Sequence, residues 1–195
     1  MQNIKNQDIN LSLMEGKRGV IMGVANDHSI AWGIAKSLSA AGAELAFSYQ
    51  SNTLKKRVEP LANELNSKIV LPCDVESSED IANFFSEIGS HWGSIDFIVH
   101  AIAFSDKSQL KGEYYNTTKD NFIKTMLISC YSFTEIAREA HKIMPNGGSM
   151  VTLTFGGSNR VMPNYNVMGI AKAGLESSVK YLASDFGDKN IRVNA

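Results

Sequence analysis

Tyr165 and Lys172 are the two side chains of this 195-residue chain whose types and spacing most directly suggest chemistry. Seven residues is almost two helical turns, so on a helix both project from nearly one face, about 10 Å apart along the axis. Long side chains leaning along that face can narrow the gap around a ligand. A phenol ionises near about pH 10, and an ammonium beside it favours the ionised form. Such a pair can donate a hydrogen bond or a proton to an oxygen that gains charge. A tyrosine seven residues before a lysine also arises often by chance, so the pair acquires meaning only from its place in the fold.

The elements that would position it alternate between strands and helices. Gly19 to Val24 is a short apolar run closed by glycine, which predicts a buried first strand. Ile30 to Ala40 carries Ile30, Ile34, Ala35 and Leu38 at helical spacing, with Gly42 beyond its end. Strands follow at Glu44–Tyr49 and Lys68–Cys73, with a helix around Thr53–Leu65 between them. Ser77 with Asp80 resembles a capping box and opens a helix running to about His91. A fourth strand is expected at Ile95–His100. Thr117 with Asp120 repeats the capping signal before one long helix that ends near Pro145 to Gly148. Ser149–Thr154 reads as a fifth strand, Tyr165 to Phe186 as a helix, and Ile191–Ala195 as the start of a sixth strand. This alternation predicts an α/β fold, a doubly wound and mostly parallel Rossmann-like sheet whose ligand site lies beyond the carboxyl ends of the strands.

Composition narrows the class. The length suits one domain with a sizeable core. A hydrophobic share of 44% with net charge −1 is that of an ordinary globular protein and offers no electrostatic footprint for nucleic acid. No apolar run is long enough to span a bilayer, and Met1 to Asn10 lack the apolar stretch of a signal peptide, so a cytoplasmic protein without a membrane partner is expected. Cys73 and Cys130 form no metal or redox pattern and are expected to be reduced thiols. No metal site is expected.

The strand ends carry candidate ligands. After strand one, Gly23 and Ala25 would let backbone approach a pyrophosphate, and the following helix start would supply its N–H groups. Ser29 could cap that helix or donate to a phosphate, and His28 reads as a solvated loop residue. The stretch departs from the usual Gly-x-Gly-x-x-Gly pattern, so an ordinary strand-to-helix turn is also consistent with it. At the end of strand two an acidic residue commonly holds a ribose 2′-hydroxyl. Gln50 is neutral but can bond it, which favours NADH over NADPH. Lys55, Lys56 and Arg57 follow, most simply as a solvated helix face. Asp74 could accept from an adenine amino group while Val75 packs on the ring, or Asp74 could simply belong to the turn before the capped helix. Ala101 and Ala103 leave room for a ribose and nicotinamide, and Ile102 and Phe104 could line a pocket or pack the core. Strand five then leads through Thr154-Phe155-Gly156-Gly157-Ser158 to Tyr165, on the same side of the sheet.

With these residues in place, the chain resembles the bacterial NADH-dependent enoyl-acyl-carrier-protein reductases, a divergent branch of the short-chain dehydrogenase/reductase family. The resemblance covers nearly the whole chain. It is carried by the segments from Gly23 to Gly33, Phe47 to Gln50, Cys73 to Val75, Val99 to Phe104 and Asn164 to Lys172. Six residues separate Tyr165 from Lys172, where ordinary family members have three, and Gly169 stands where their lysine would be.

The resemblance implies hydride transfer from NADH to the β-carbon of a trans-2-enoyl thioester carried on acyl carrier protein, in fatty-acid elongation. Tyr165 would stabilise the enolate at the thioester carbonyl. Lys172 would hold the nicotinamide ribose and bias Tyr165 electrostatically. Gly23, Ala25, Ser29, Ile30, Gln50, Asp74, Val75, Ala101 and Ile102 would contact the cofactor, and Ser105, Phe155 and Met168 would lie near the acyl substrate. A homotetramer is implied for the full-length form.

Two departures from the family pattern stand out. Phe155 replaces a tyrosine usual ten residues before the catalytic one, keeping a hydrophobic wall without its hydroxyl. The chain also ends at Ala195, inside strand six. Residues 1–195 are therefore expected to be a single dinucleotide-binding and catalytic domain, without the substrate helix and last strand that the family places beyond it. Two other functions remain to be weighed: a short-chain carbonyl reductase, which would need a lysine at position 169, and a non-catalytic dinucleotide-binding or assembly module.

Overall fold

The computed structural model describes residues 12–195; the N-terminal reading of Met1 to Asn10 lies outside them. Six parallel strands form one sheet in the order β3-β2-β1-β4-β5-β6. In chain order the elements are β1 (Arg18–Met22), α1 (Ile30–Ala40), β2 (Glu44–Tyr49), α2 (Asn52–Glu64), β3 (Ile69–Pro72), α3 (Ser78–Trp92), β4 (Phe97–His100), α4 (Lys119–Met126), α5 (Ser132–Ala140), β5 (Gly148–Thr152), α6 (Asn166–Gly187) and β6 (Ile191–Asn194). The order reverses between β1 and β4, the switch point at which such sheets open a ligand crevice.

Both faces of the sheet are covered, which is why the central strands are apolar at almost every position. On β1, Val20 and Met22 join one core with Ile98, Met150, Phe84 and Ile88 of α3, Phe133 and Ile136 of α5, and Leu175 of α6. Ile21, between them, points the other way, to Phe47, Trp32 and Ala35 of α1, and Val58 and Ala62 of α2. This is the period-two alternation of a strand sandwiched between helix layers.

The capping signals divide. Ser77 behaves as predicted: its Oγ accepts from the Asp80 amide at 3.1 Å and starts α3. Thr117 does not cap α4. A 3₁₀ turn at Tyr114–Asn116 carries one residue further, with the Thr117 amide bonded back to the Tyr114 carbonyl, so Thr118 becomes the cap and its Oγ1 accepts from the Asn121 amide. The single long helix predicted after it is also interrupted. A π turn at Leu127–Tyr131 joins α4 to α5, and such turns favour functional sites because they re-aim side chains.

Candidate active site

Gly23 closes β1 with φ +99°, and a Cβ there would lie 2.1 Å from the Ala101 carbonyl oxygen. Only glycine allows this approach of the β1 and β4 ends. Beyond them lies a cleft of about 340 Å³ whose lining includes Gly23, Ala25, Gln50, Asp74, Val75, Ala101 and Ile102, together with Cys73 and Ile128. Seven of the ten residues predicted to contact a dinucleotide thus share one cavity, with Ser29, Ile30 and Lys172 outside its lining. Gln50 Nε2 donates to Asp74 Oδ2 at 2.8 Å, while Asp74 Oδ1 accepts from the Glu76 amide at 3.0 Å. Asp74 therefore holds its own turn and also faces the cleft.

Ser29 is the N-cap residue of α1 by position, but its side chain makes no capping bond. Its Oγ turns back to accept from the amides of Ala25 and Asn26, at 3.0 and 3.1 Å, and so stiffens the loop after β1. That leaves the first amides of α1, including that of the exposed Ile30, without intrahelical acceptors, as at any helix start. Lys56 and Arg57 line a separate groove, and Lys55 pairs with Glu59 and lies over Tyr49, so the basic run stays outside the cleft. His28 is exposed beside Asp27.

Ala103, Phe104 and Lys124 border both the cleft and a second cavity of about 800 Å³, which Ser105 and Met168 line. The Ser105 hydroxyl is buried and tied into the wall, accepting from Thr125 Oγ1 at 2.9 Å and from Asn121 Nδ2 at 3.2 Å. Phe104 is held by Ser129, in the π turn, whose hydroxyl accepts from the Phe104 amide and donates to its carbonyl, both at 2.9 Å. The sequence reading did not single out Ser129; the signal lies in a contact across 25 residues.

Tyr165 precedes α6 between two asparagines in the left-handed region, Asn164 at φ +59° and Asn166 at φ +37°. Asparagine tolerates that region better than most residues. The Asn166 side-chain Nδ2 donates to the carbonyls of Gln109 and Gly112, tying the helix start to Gln109 in the wall of the second cavity. The half-buried phenol borders a third cavity of about 380 Å³, with Gly157, Arg160 and Gly169. Phe155 meets its ring edge-on at 5.0 Å between centroids. Burial pushes the Tyr165 phenol above its ordinary value, which keeps it protonated at neutral pH.

Lys172 is buried, and its Nζ donates to the Leu153 carbonyl at 2.9 Å. Burial lowers its pKa, with an opposing pull from Cys130. Burial is the cause of the Tyr165 shift, and the Lys172 ammonium is directed at the β5 end. Its field reaches His100, which burial first and Lys172 second hold at about 3. His100 joins Thr152 Oγ1 at 2.8 Å and Ser132 Oγ at 3.0 Å. Since Ser132 donates to the Ile128 carbonyl, it accepts from His100 Nε2–H, and Nδ1 accepts from Thr152.

Gly169 settles the spacing. A Cβ there would lie 2.7 Å from the Gly157 carbonyl oxygen, so the position needed by a carbonyl reductase's lysine has no room for a side chain.

An open parallel sheet with a small-residue cleft at its switch point, and a Tyr/Lys pair at the N-cap and in the second turn of the helix after β5, defines a doubly wound dinucleotide-binding oxidoreductase. The family model described as "Enoyl-(Acyl carrier protein) reductase" matches residues 23–195. A Rhizobium meliloti protein named enoyl-[acyl-carrier-protein] reductase [NADH] 2 is 65% identical over 94% of this chain and 68% of its own length. The crystal structure of FabI from Candidatus Liberibacter asiaticus matches with TM-score 0.93 and 60% identity, over 96% of this chain and 72% of that one. The Anaplasma phagocytophilum reductase, solved in complex with NAD, matches with TM-score 0.92 and 58% identity, over 94% and 70%. The chain belongs to the enoyl-(acyl carrier protein) reductase family. Among the described residues no helix is long and apolar enough to cross a membrane, and no cluster of three or more His, Cys, Asp or Glu could hold a metal.

Proposed function

We propose that this protein reduces the trans-2 double bond of enoyl thioesters on acyl carrier protein, using NADH, in fatty-acid elongation. The observation that carries the reading is the Tyr165/Lys172 pair after β5, with Lys172 bonded to the Leu153 carbonyl at the β5 end, in a chain 65% identical to a protein of that name. The described residues work as one dinucleotide-binding and catalytic domain.

The bound nicotinamide supplies a hydride; the chain supplies position and charge. Tyr165 stays protonated and donates its hydrogen bond to the thioester carbonyl oxygen as that oxygen becomes an enolate. A donor aimed where charge develops lowers the barrier because its interaction strengthens toward the transition state. Lys172 spends one of its three N–H donors on Leu153, leaving two for the ribose hydroxyls. Gly23, Ala25 and the α1 amides, including that of Ile30, bind the pyrophosphate, with Ser29 stiffening the loop. Gln50 keeps its carbonyl oxygen for a ribose hydroxyl, and the Asp74 carboxylate beside it disfavours a 2′-phosphate, so NADH is preferred to NADPH. Val75, Ala101 and Ile102 pack on the rings. Ser105 and Met168 line the cavity that takes the acyl chain, Ser105 as a tied part of its wall, and Phe155 meets it through its packing on Tyr165.

The exposed Tyr131 of the π turn and Ile170 and Tyr181 of α6 support assembly into a homo-oligomer, a tetramer in the full-length form. The two buried free thiols accord with a cytoplasmic setting.

The test is NADH oxidation with crotonyl-coenzyme A, on this chain and on a version extended to the length of its relatives. Saturable oxidation that needs the enoyl thioester is expected. NADH binding without turnover in both would leave a non-catalytic binding module as the better reading.

A further inference from the structure

Glu176 lies seven residues after Gly169 and four after Lys172, so these three share one stripe of α6, whose N-cap is Tyr165. Its carboxylate Oε1 accepts from Thr154 Oγ1 at 2.6 Å and from Ser158 Oγ at 2.5 Å, and Asn159 Nδ2 donates to that Ser158 oxygen at 3.0 Å. Thr154 and Ser158 bracket Phe155, Gly156 and Gly157, the segment that covers Tyr165. Phe155 meets the phenol ring edge-on, and a Cβ on Gly157 would lie 2.4 Å from its Cδ1. The Gly157 carbonyl in turn rests on Gly169. One carboxylate thus closes both ends of the loop onto the helix that begins just after the tyrosine.

We infer that Glu176 is a positioning residue for Tyr165: it clamps the Thr154–Ser158 loop through two hydroxyl hydrogen bonds and so sets the place and burial of the phenol. Charge-assisted bonds of this kind are stronger than neutral ones and directional, which suits a carboxylate to the task better than an amide. The two hydroxyls hold the Glu176 carboxyl below its ordinary pKa, so the clamp stays ionised at neutral pH. No residue lining the nucleotide cleft lies on α6 or the Thr154–Ser158 loop, and Lys172, the cofactor ligand on α6, is held by Leu153 and not by Glu176. The clamp should therefore act on turnover and leave cofactor binding alone. As a statement about catalysis it rests on the reductase reading; as a statement about the phenol it does not.

The experiment uses ¹³C-tyrosine-labelled protein, with the Tyr165 resonance assigned by its loss in Tyr165→Phe, alongside NADH titration and crotonyl-coenzyme A kinetics. The variants are Glu176→Gln, Glu176→Ala and the pair Thr154→Val/Ser158→Ala. In Glu176→Ala the Tyr165 titration should move down toward that of an ordinary tyrosine and kcat should fall about tenfold or more, with NADH affinity within about twofold of the parent. Glu176→Gln, which keeps an acceptor oxygen, should rescue part of both effects. The Thr154/Ser158 pair should reproduce Glu176→Ala, and adding Glu176→Ala to it should change little more. An unmoved Tyr165 titration in Glu176→Ala overturns the inference, as does a kcat loss matched by an equal loss of NADH affinity. If the parent protein does not reduce the thioester, the reductase reading fails, and the titration alone then decides on the clamp.

Discussion

The ring of Tyr165 lies directly on Gly157, with no space between them for a methyl group. Gly157→Ala should push the phenol aside, and Gly169→Ala should do the same indirectly by lifting the Gly157 carbonyl. Each is expected to lower kcat about 10- to 100-fold, since misplacement of a catalytic group by about 1 Å costs that much. NADH affinity should hold. Paired kinetic and binding measurements check this, and full activity in Gly157→Ala would show that the contact does not place Tyr165.

Tyr165 and Lys172 should separate in their effects. Tyr165→Phe keeps the ring packing against Phe155 and removes only the donor, so kcat should fall about 100-fold with NADH binding preserved. Lys172→Ala removes the ribose donors and strands the Leu153 carbonyl, so NADH affinity itself should drop. Calorimetric titration with NADH distinguishes the two; equal cofactor affinity in both variants would contradict the assigned division of roles.

His100 should make stability depend on pH. Its pKa falls from 6.5 to about 3 on folding, because burial and the Lys172 charge disfavour the imidazolium. With the folded value below the unfolded one, its contribution is complete above about pH 6.5 and is lost progressively as pH falls toward about 3. The loss is on the order of a few kcal/mol. Gln at this position keeps a donor and an acceptor but does not titrate, so His100→Gln should flatten the melting-temperature profile between these limits. A parallel profile in the variant would assign the acid sensitivity elsewhere.

Cys73 should be chemically quiet even though it borders the cleft. Burial first, then the Asp80 and Asp74 carboxylates, push its thiol up to about 12, and Cys130 is raised by burial as well. Only a thiolate reacts quickly. Native protein should therefore show almost no reaction with a disulfide reagent at neutral pH, while the unfolded chain releases both thiols. Rapid labelling of Cys73 in the native state, slowed by NADH, would mean that the cleft floor opens to solvent.

The strands and most of the cleft were legible in the sequence for a local reason. A buried parallel strand announces itself by an apolar run, and the residues just past its end must face the crevice, so Gly23, Gln50, Asp74 and Ala101 could be named before any contact was known. Boundaries were less legible. Thr117 and Thr118 are adjacent residues of one type, and only the 3₁₀ turn before them determines which one caps α4. The π turn left no pattern of its own, because the same apolar positions suit an uninterrupted helix.

By itself the sequence determined the strand–helix alternation of a doubly wound sheet, the cleft at the strand ends and the Tyr165/Lys172 spacing after strand five, since these follow from periodicity and from residue types at short range. Tertiary structure decided what each side chain does with its bonds. It pointed Lys172 at Leu153 and left Tyr165 governed by burial. It turned Ser105 into the wall, and gave Ser129 and Glu176 their places holding the loops on either side of the site. Those outcomes depend on distances between residues far apart in the chain, which become defined only when the helices close over the sheet and each buried polar group must find a partner.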